Sequence, residues 1–195
     1  ILTEQDQDIR SLKQLIIYGL KGVAAYTSHA QRLGYEDNAI YSNLEEALSF
    51  TRKKETSKEQ LLNWVKGVGE LGIKAMHLLD KASTITFGHP ENTKVETNVG
   101  NRPGILVTGH DLQDLKELLE QTQDKQIDVY THGEMLPAHY YPYFKKYPHF
   151  KGNYGNAWWQ QTQDFEKFNG PILFTSNCIV PPPANKNYQD RLYTT

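Results

Sequence analysis

Hydrophobic residues recur at helical spacing through the first half of the chain and predict three helices. One apolar stripe with this spacing contains Ile9, Leu12, Ile16, Leu20, Val23 and Ala24. A capping box at Thr3-x-x-Asp6 is expected before it. A second helix is predicted over about 38–53, with Leu48 on its apolar face. A third follows the capping sequence Ser57-x-x-Gln60, with Leu62 and Met76 on its apolar face. Because short connections favour antiparallel neighbours, the pattern predicts a three-helix bundle.

The second half of the chain alternates between short apolar runs and amphipathic segments. The runs 104–108, 127–130 and 171–175 are predicted to be strands. The segments 111–121 and 157–168 between them have helical patterns. Alternation of this kind gives parallel βαβ units with right-handed crossovers. We therefore predict an α/β plus α fold, in which the helical bundle is followed by a Rossmann-like parallel α/β domain.

Proline placement locates the boundary between the two halves. The first 100 residues contain one proline and the remaining 95 contain eight. Proline is costly inside helices and tolerated in turns and at element starts. We therefore expect a helical domain over 1–88, a linker over 89–103 and an α/β domain over 104–195 that is incomplete or truncated at its C-terminal end.

Composition excludes several classes of protein. With 23 acidic and 21 basic side chains and only short basic clusters, the chain lacks a surface for nucleic acid. Its apolar runs fall far short of the roughly 18 residues that a membrane span requires. A single cysteine excludes an internal disulfide and a four-cysteine metal site. We expect a cytoplasmic location, because no signal peptide is visible, and a longer parent protein, because the chain begins with Ile1.

Side chains able to bind a metal follow each of the three predicted strands. The first strand leads to His110, the second to Glu134 and the third to Cys178. The carboxyl ends of parallel strands lie along one edge of the sheet, where open α/β folds place their ligands. Imidazole, carboxylate and thiolate together suit iron, zinc or a mixed iron cluster, and three donors leave a coordination position open. The pattern therefore favours a metal site made by these three residues.

Each of these residues also has a purely structural interpretation. His110 precedes a predicted helix, Glu134 is placed to stabilise a helix N-terminus, and Cys178 is a small apolar side chain. A third interpretation is a thiol enzyme with Cys178 as nucleophile, His110 as base and Glu134 as orienting acid, although this cysteine lacks the helix-start context that lowers a thiol pKa. His132 and His139 flank Glu134 and are either residues that orient it or ordinary buried or surface histidines. Residue types alone leave these alternatives open.

Several motifs resemble those of the hybrid-cluster protein family, whose members are also called prismane proteins or hydroxylamine reductases. The most specific is Tyr-Thr-His-Gly-Glu-Met-Leu-Pro-Ala-His at 130–139. Further matching segments are 15–22, 87–90, 109–112, 152–158 and 175–178. The resemblance runs in order along essentially the whole chain.

This resemblance implies an iron–sulfur oxidoreductase that reduces hydroxylamine to ammonia, or nitric oxide to nitrous oxide. It implies that His110, Glu134 and Cys178 are three ligands of a hybrid iron–sulfur–oxygen cluster, with Asn177 and His132 beside them. Family members take their remaining ligands, which are further cysteines and another glutamate, from sequence beyond Thr195, and they hold a conventional iron–sulfur cluster near their N-terminus. The implied partners are a small nitrogen–oxygen substrate, an external electron donor and the rest of the parent chain.

For the isolated chain we expect no intact cluster and no activity, because three donors cannot replace the missing thiolates. A cofactor-free structural fragment is the alternative function.

Overall fold

A helical unit is followed by an α/β unit. The computed structural model describes residues 4–176 and 180–195. The chain divides into two compact units, Ile1–Ser83 and Thr84–Thr195. The second unit contains a parallel five-stranded sheet, so the predicted combination of helices with an α/β sheet is confirmed. Among the described residues, no helix combines the length and the apolar character needed to cross a bilayer.

Three helices account for nearly all of the first unit. They are α1 (Gln7–Arg32), α2 (Asn38–Phe50) and α3 (Lys58–Phe87). Their apolar stripes meet in one cluster of buried residues: Ile16, Leu20, Val23, Ile40, Ala47, Phe50, Leu61, Val68, Leu71 and Ala75. Burial of these side chains is the main stabilising contribution, at about 1.5 to 3 kcal/mol for each large one.

Side chains at the N-termini of α1 and α3 cap the helices. Gln60 N donates to Ser57 Oγ at 3.1 Å and Ser57 N donates to Gln60 Oε1 at 3.0 Å, which is the predicted capping box. The cap of α1 differs from the prediction. Asp6 is its N-cap and accepts from the backbone N–H groups of Asp8 and Ile9, so the helix begins later than the Thr3 pattern suggested. Thr3 itself lies outside the described residues.

Glycines inside α1 and α3 fall into two groups. A Cβ atom added at Gly19 would lie 2.6 Å from Val68 Cγ1, so this glycine lets the two helices approach closely. At Gly22, Gly67, Gly69 and Gly72 an added Cβ would meet no described atom within 4 Å apart from its chain neighbours and the backbone of its own helix. These four positions therefore carry the conformational cost of glycine without gaining a contact.

Replacing Gly69 by alanine is expected to stabilise the first unit by up to about 1 kcal/mol, because the change restricts the unfolded chain and meets open space. Urea denaturation followed by circular dichroism measures this difference. The matched control is Gly19→Ala, which is expected to cost about 1 to 3 kcal/mol because the new methyl overlaps Val68. If Gly19→Ala also stabilised the chain, the inference that Gly19 allows α1 and α3 to approach closely would be wrong.

The second unit is built on five parallel strands in the spatial order β3-β2-β1-β4-β5. These strands are β1 (Gly104–Thr108), β2 (Asp128–His132), β3 (Phe150–Asn153), β4 (Ile172–Phe174) and β5 (Leu192–Thr194). The three predicted strands correspond to β1, β2 and β4. The pattern missed β3 and β5, which are short and lie at the two edges of the sheet.

Helices and 3-10 segments connect the strands. Helix α4 (Leu112–Thr122) follows β1, and α5 (Gln161–Lys167) precedes β4. The residues between β2 and β3 form two 3-10 segments, Gly133–Tyr140 and Pro142–Lys146. This arrangement leaves the residues that follow β1, β2 and β4 at the carboxyl edge of the sheet.

The segment before β1 is hydrogen-bonded to the α/β unit. Glu91 N donates to the Tyr140 carbonyl and Asn153 N donates to the Glu96 carbonyl. Glu96 also forms an isolated parallel bridge with Gly152 of β3.

Candidate metal centre at the carboxyl edge of the sheet

The carboxyl ends of β1 and β2 bring His110 and Glu134 together. Thr108 and His132 are register partners at the ends of these strands. His110 lies two positions after Thr108, and Glu134 lies two positions after His132. His110 Nε2 is 3.3 Å from Glu134 Oε2. The side chains are 36 % and 55 % exposed, so their donor atoms are accessible to a ligand.

The residues directly before and after His110 in the sequence fix its position. Gly109 turns the backbone out of β1 with a φ of +113°. Asp111 then caps α4 by accepting from the backbone N–H groups of Gln113 and Asp114. The second ring nitrogen of His110 lies 3.2 Å from Ser176 Oγ, beyond the end of β4. The imidazole therefore contacts residues that follow two other strands of the sheet.

The spacing of the His110 and Glu134 donor atoms fits a shared metal ion. Two ligand atoms about 2.1 Å from one ion at a tetrahedral angle are about 3.4 Å apart. The observed 3.3 Å between Nε2 and Oε2 is close to this value. Imidazole nitrogen and carboxylate oxygen are both donors that iron accepts. The donor types of this pair therefore suit iron, and their separation, which is also a hydrogen-bond distance, is compatible with both atoms binding one ion.

Two of the residues assigned to the site, Asn177 and Cys178, lie outside the described residues. Ser176, which contacts His110, is two positions before Cys178 in the sequence. Within residues 4–176 and 180–195 no group of three or more His, Cys, Asp and Glu side chains is placed to hold a metal ion. The described part of the site is therefore the His110–Glu134 pair.

His132 contacts a carboxylate different from the one expected. Its side chain is buried, and Nε2 lies 3.2 Å from Asp164 Oδ2 on α5. Its ring also packs against Phe165. Burial lowers the pKa of His132, and the Asp164 carboxylate offsets part of that shift. His132 is therefore a buried residue that is hydrogen-bonded to Asp164 and not to Glu134.

His139 is a buried histidine in the core of the α/β unit. Its Nε2 lies 2.9 Å from Thr131 Oγ1, and its ring stacks on Phe150 with 4.0 Å between centroids. Burial lowers the pKa of His139 from 6.5 to about 4, although a hydrogen bond with the Gly152 backbone raises it in part. The ring is therefore neutral at pH 7.

The buried His139 is expected to make the α/β unit less stable as the pH falls from about 6.5 to about 4. The unfolded chain binds a proton on this ring below about pH 6.5, whereas the folded chain binds it only near pH 4. Stability from this residue is therefore complete above this window and falls by about 3 kcal/mol across it. Urea denaturation at several pH values, followed by tryptophan fluorescence, measures the slope.

His139→Gln is the test variant, because glutamine still offers a polar group to Thr131 and does not titrate. Its stability is expected to depend less on pH, by about one proton across the window. His77→Gln on the exposed surface of α3 is the control and is expected to keep the original slope. An unchanged slope in His139→Gln would contradict the depressed pKa.

A cleft of about 450 Å³ opens beside Glu134. Its polar lining residues other than Glu134 are Asn153, at the end of β3, and Asn156. Asp164 is buried next to one of these lining residues: it accepts from Asn156 N at 2.9 Å and from Asn156 Nδ2 at 3.2 Å. No role was predicted for Asn153, Asn156 or Asp164 from the sequence alone. No local signal identified Asp164, because Glu166 also lies directly beside the apolar Phe165 in the same helix.

Comparisons with known proteins agree along the whole chain. The model of the Prismane/CO dehydrogenase family matches residues 1–195. Hydroxylamine reductase of Parabacteroides distasonis is 59 % identical over 195 residues, which are 100 % of this chain and 36 % of that protein. The Porphyromonas gingivalis protein of the same name is 62 % identical over 100 % of this chain and 36 % of its own length. That of Caldanaerobacter subterraneus is 57 % identical over 100 % of this chain and 35 % of its own length.

The chain thus spans about a third of the length of the curated relatives it matches. The matched region covers the whole chain and so includes every segment on which the resemblance to hybrid-cluster proteins was based. The resemblance is confirmed, and the chain belongs to the Prismane/CO dehydrogenase family.

Proposed function

We propose that this chain is part of an iron–sulfur oxidoreductase that reduces hydroxylamine to ammonia at a hybrid iron–sulfur–oxygen cluster. The observation that carries the proposal is the His110–Glu134 pair, whose donor atoms lie 3.3 Å apart at the carboxyl edge of a parallel sheet. Relatives that match the whole chain and bear the name hydroxylamine reductase support the reaction.

In this proposal His110, Glu134 and Cys178 hold the cluster. When bound, the cluster supplies Lewis-acidic iron that polarises the nitrogen–oxygen bond, together with the electrons that cleave it. The balanced reaction takes hydroxylamine, two protons and two electrons to ammonia and water. The electrons come from an external donor, and the remaining ligands come from the rest of the parent chain.

The surroundings of each residue suit its proposed role. The Ser176 hydroxyl and the N-cap at Asp111 fix the orientation of the His110 ring, so that one nitrogen is directed toward Glu134. Glu134 is the more exposed member of the pair, and a carboxylate changes its binding mode readily, which would free a coordination position for substrate. Cys178 contributes a thiolate, and Asn177 is proposed to lie beside the ligands.

Reduction of nitric oxide to nitrous oxide is a second proposed reaction of the same site. It uses the same combination of bound metal and delivered electrons on another small nitrogen–oxygen substrate. We propose that the parent acts in the cytoplasm, in keeping with the single cysteine of this segment.

We also propose a fold type for each half of the chain. The shared core of α1, α2 and α3 supports a three-helix bundle. The parallel order β3-β2-β1-β4-β5 supports a Rossmann-like classification. The corresponding domain assignment is 1–88 for the bundle, 89–103 for the linker and 104–195 for the α/β domain.

The experiment is anaerobic purification of the full-length parent, followed by iron and sulfide analysis and an activity assay. Reoxidation of a reduced viologen dye is expected to require hydroxylamine and to yield one ammonia for every two electrons. An iron-loaded enzyme that leaves hydroxylamine unchanged would contradict the reaction. A parent that binds no iron would favour the cofactor-free scaffold, and rapid alkylation of Cys178 well below a pH of about 8.5 would favour the thiol enzyme.

The 195-residue chain alone is the control in the same reconstitution. It is expected to bind no complete cluster. A full complement of iron and sulfide on this chain would show that the three proposed ligands suffice.

A further inference from the structure

Two asparagines line the cleft beside Glu134, and buried groups hold each of them. The cleft measures about 450 Å³ and has mainly apolar walls, including Leu136, Pro137 and Trp158. Small-molecule sites commonly combine apolar walls with a few fixed polar groups. Asn153 and Asn156 provide such groups together with Glu134.

Asn153 has one half of its amide occupied. The buried Thr131 hydroxyl donates to Asn153 Oδ1 at 3.0 Å. The backbone N–H of Asn153 donates to the Glu96 carbonyl, which anchors the main chain independently of the side chain. Among the described residues the side-chain NH₂ has no partner assigned, so it is available to donate to a ligand.

Asn156 has the opposite half of its amide occupied. Its Nδ2 donates to Asp164 Oδ1 at 3.2 Å and its backbone N donates to Asp164 Oδ2 at 2.9 Å. Asp164 is 6 % exposed and also contacts the buried His132, so it is a rigid anchor. In the described part of the chain the side-chain oxygen of Asn156 has no partner assigned and is available to accept.

We propose that this cleft is the site where the small nitrogen–oxygen substrate binds before it reaches the metal. The NH₂ of Asn153 donates to the substrate oxygen, and the Oδ1 of Asn156 accepts from its N–H or O–H. Hydroxylamine suits this arrangement because its nitrogen and its oxygen each donate and accept hydrogen bonds. The inference rests on the proposed function, since it takes the substrate class from that proposal and assigns new residues to its binding.

The test uses the full-length holoenzyme with Asn153→Ala and Asn156→Ala. Each substitution removes one side-chain hydrogen bond and keeps the main-chain bond of the same residue, so the cleft wall is retained. The KM for hydroxylamine is expected to rise about threefold to tenfold in each variant, with kcat within twofold and unchanged iron content. Asn101→Ala is the matched control, because Asn101 is exposed and precedes β1 at the opposite edge of the sheet.

A binding measurement without turnover separates this inference from the proposed function. Calorimetric titration of the oxidised enzyme with hydroxylamine, in the absence of an electron donor, is expected to show weaker binding in both cleft variants than in Asn101→Ala. If the wild-type enzyme bound hydroxylamine in this way but did not reduce it, the proposed function would fail and the binding site would stand. Unchanged KM and unchanged affinity in both variants would overturn the binding site and leave the proposed reaction intact.

Discussion

Replacing Glu134 with alanine in the full-length enzyme is expected to lower hydroxylamine turnover on the order of a hundredfold or more. Glu134 is a proposed metal ligand. Loss of residues that merely support a ligand already costs about 10- to 100-fold in metal affinity or activity, so loss of a ligand itself should cost at least as much. His110→Ala is expected to have an effect of similar size, because its ring nitrogen lies 3.3 Å from the Glu134 carboxylate and is the other proposed ligand of the pair. The kcat with a reduced dye and the iron content of each variant are the two measurements.

Glu117→Ala is the matched control for Glu134→Ala. Glu117 is an exposed carboxylate on α4, and Gln113 Nε2 donates to it at 2.8 Å on the helix surface. Its loss is expected to change kcat by less than about twofold, as surface substitutions usually have small effects. If Glu134→Ala kept wild-type turnover and iron content, the assignment of Glu134 as a metal ligand would be wrong.

Local patterns predicted the elements that bury a continuous apolar stripe. The helices α1 and α3 have such stripes over many turns, and the Ser57–Gln60 box marks one start. The stripes were predicted too wide: Leu48, Leu62 and Met76 were expected to face the core and are exposed. Each directly follows a buried residue, and successive positions on a helix are about 100° apart, so the periodicity fixes the centre of a stripe better than its edge.

The strand β3 shows what periodicity does not detect. Its sequence Phe-Lys-Gly-Asn has no run of apolar residues, and contacts distant in sequence hold it in place. It pairs with β2 on one side, and Gly152 bridges to Glu96, whose backbone a Cβ atom at Gly152 would overlap. A close backbone approach of this kind depends on the tertiary fold, so it is invisible in a local pattern.

The candidate site was predictable where it depends on topology. His110 and Glu134 follow neighbouring parallel strands, and the rule that strand ends share an edge was sufficient to place them together. The partner of His132 was not predictable in this way. Asp164 lies on α5, 32 residues away, and an amphipathic pattern does not identify which carboxylate of a helix is buried against a histidine.

Gly109→Ala is expected to destabilise the α/β unit by about 2 to 5 kcal/mol and to disturb the site next to it. Gly109 has a φ of +113°, which L residues rarely adopt, and this strain costs about 1 to 2 kcal/mol. A Cβ atom there would also lie 2.5 Å from Thr175 Oγ1 and 2.8 Å from Ser176 N. This crowding adds about 1 to 3 kcal/mol. Urea denaturation measures the loss of stability.

Gly133→Ala separates backbone strain from crowding, because Gly133 has a φ of +55° but no described atom within 4 Å of an added Cβ. Its expected cost is about 1 to 2 kcal/mol. The additional loss of stability in Gly109→Ala, relative to Gly133→Ala, is attributed to crowding of Thr175. The Thr175 hydroxyl donates to the Thr108 carbonyl and accepts from Asp111 N. Thr175 therefore joins the ends of β1 and β4 to the cap of α4, and a methyl group pressed against it would displace His110 from Ser176 and Glu134. Equal losses in the two variants would mean that this junction does not constrain His110.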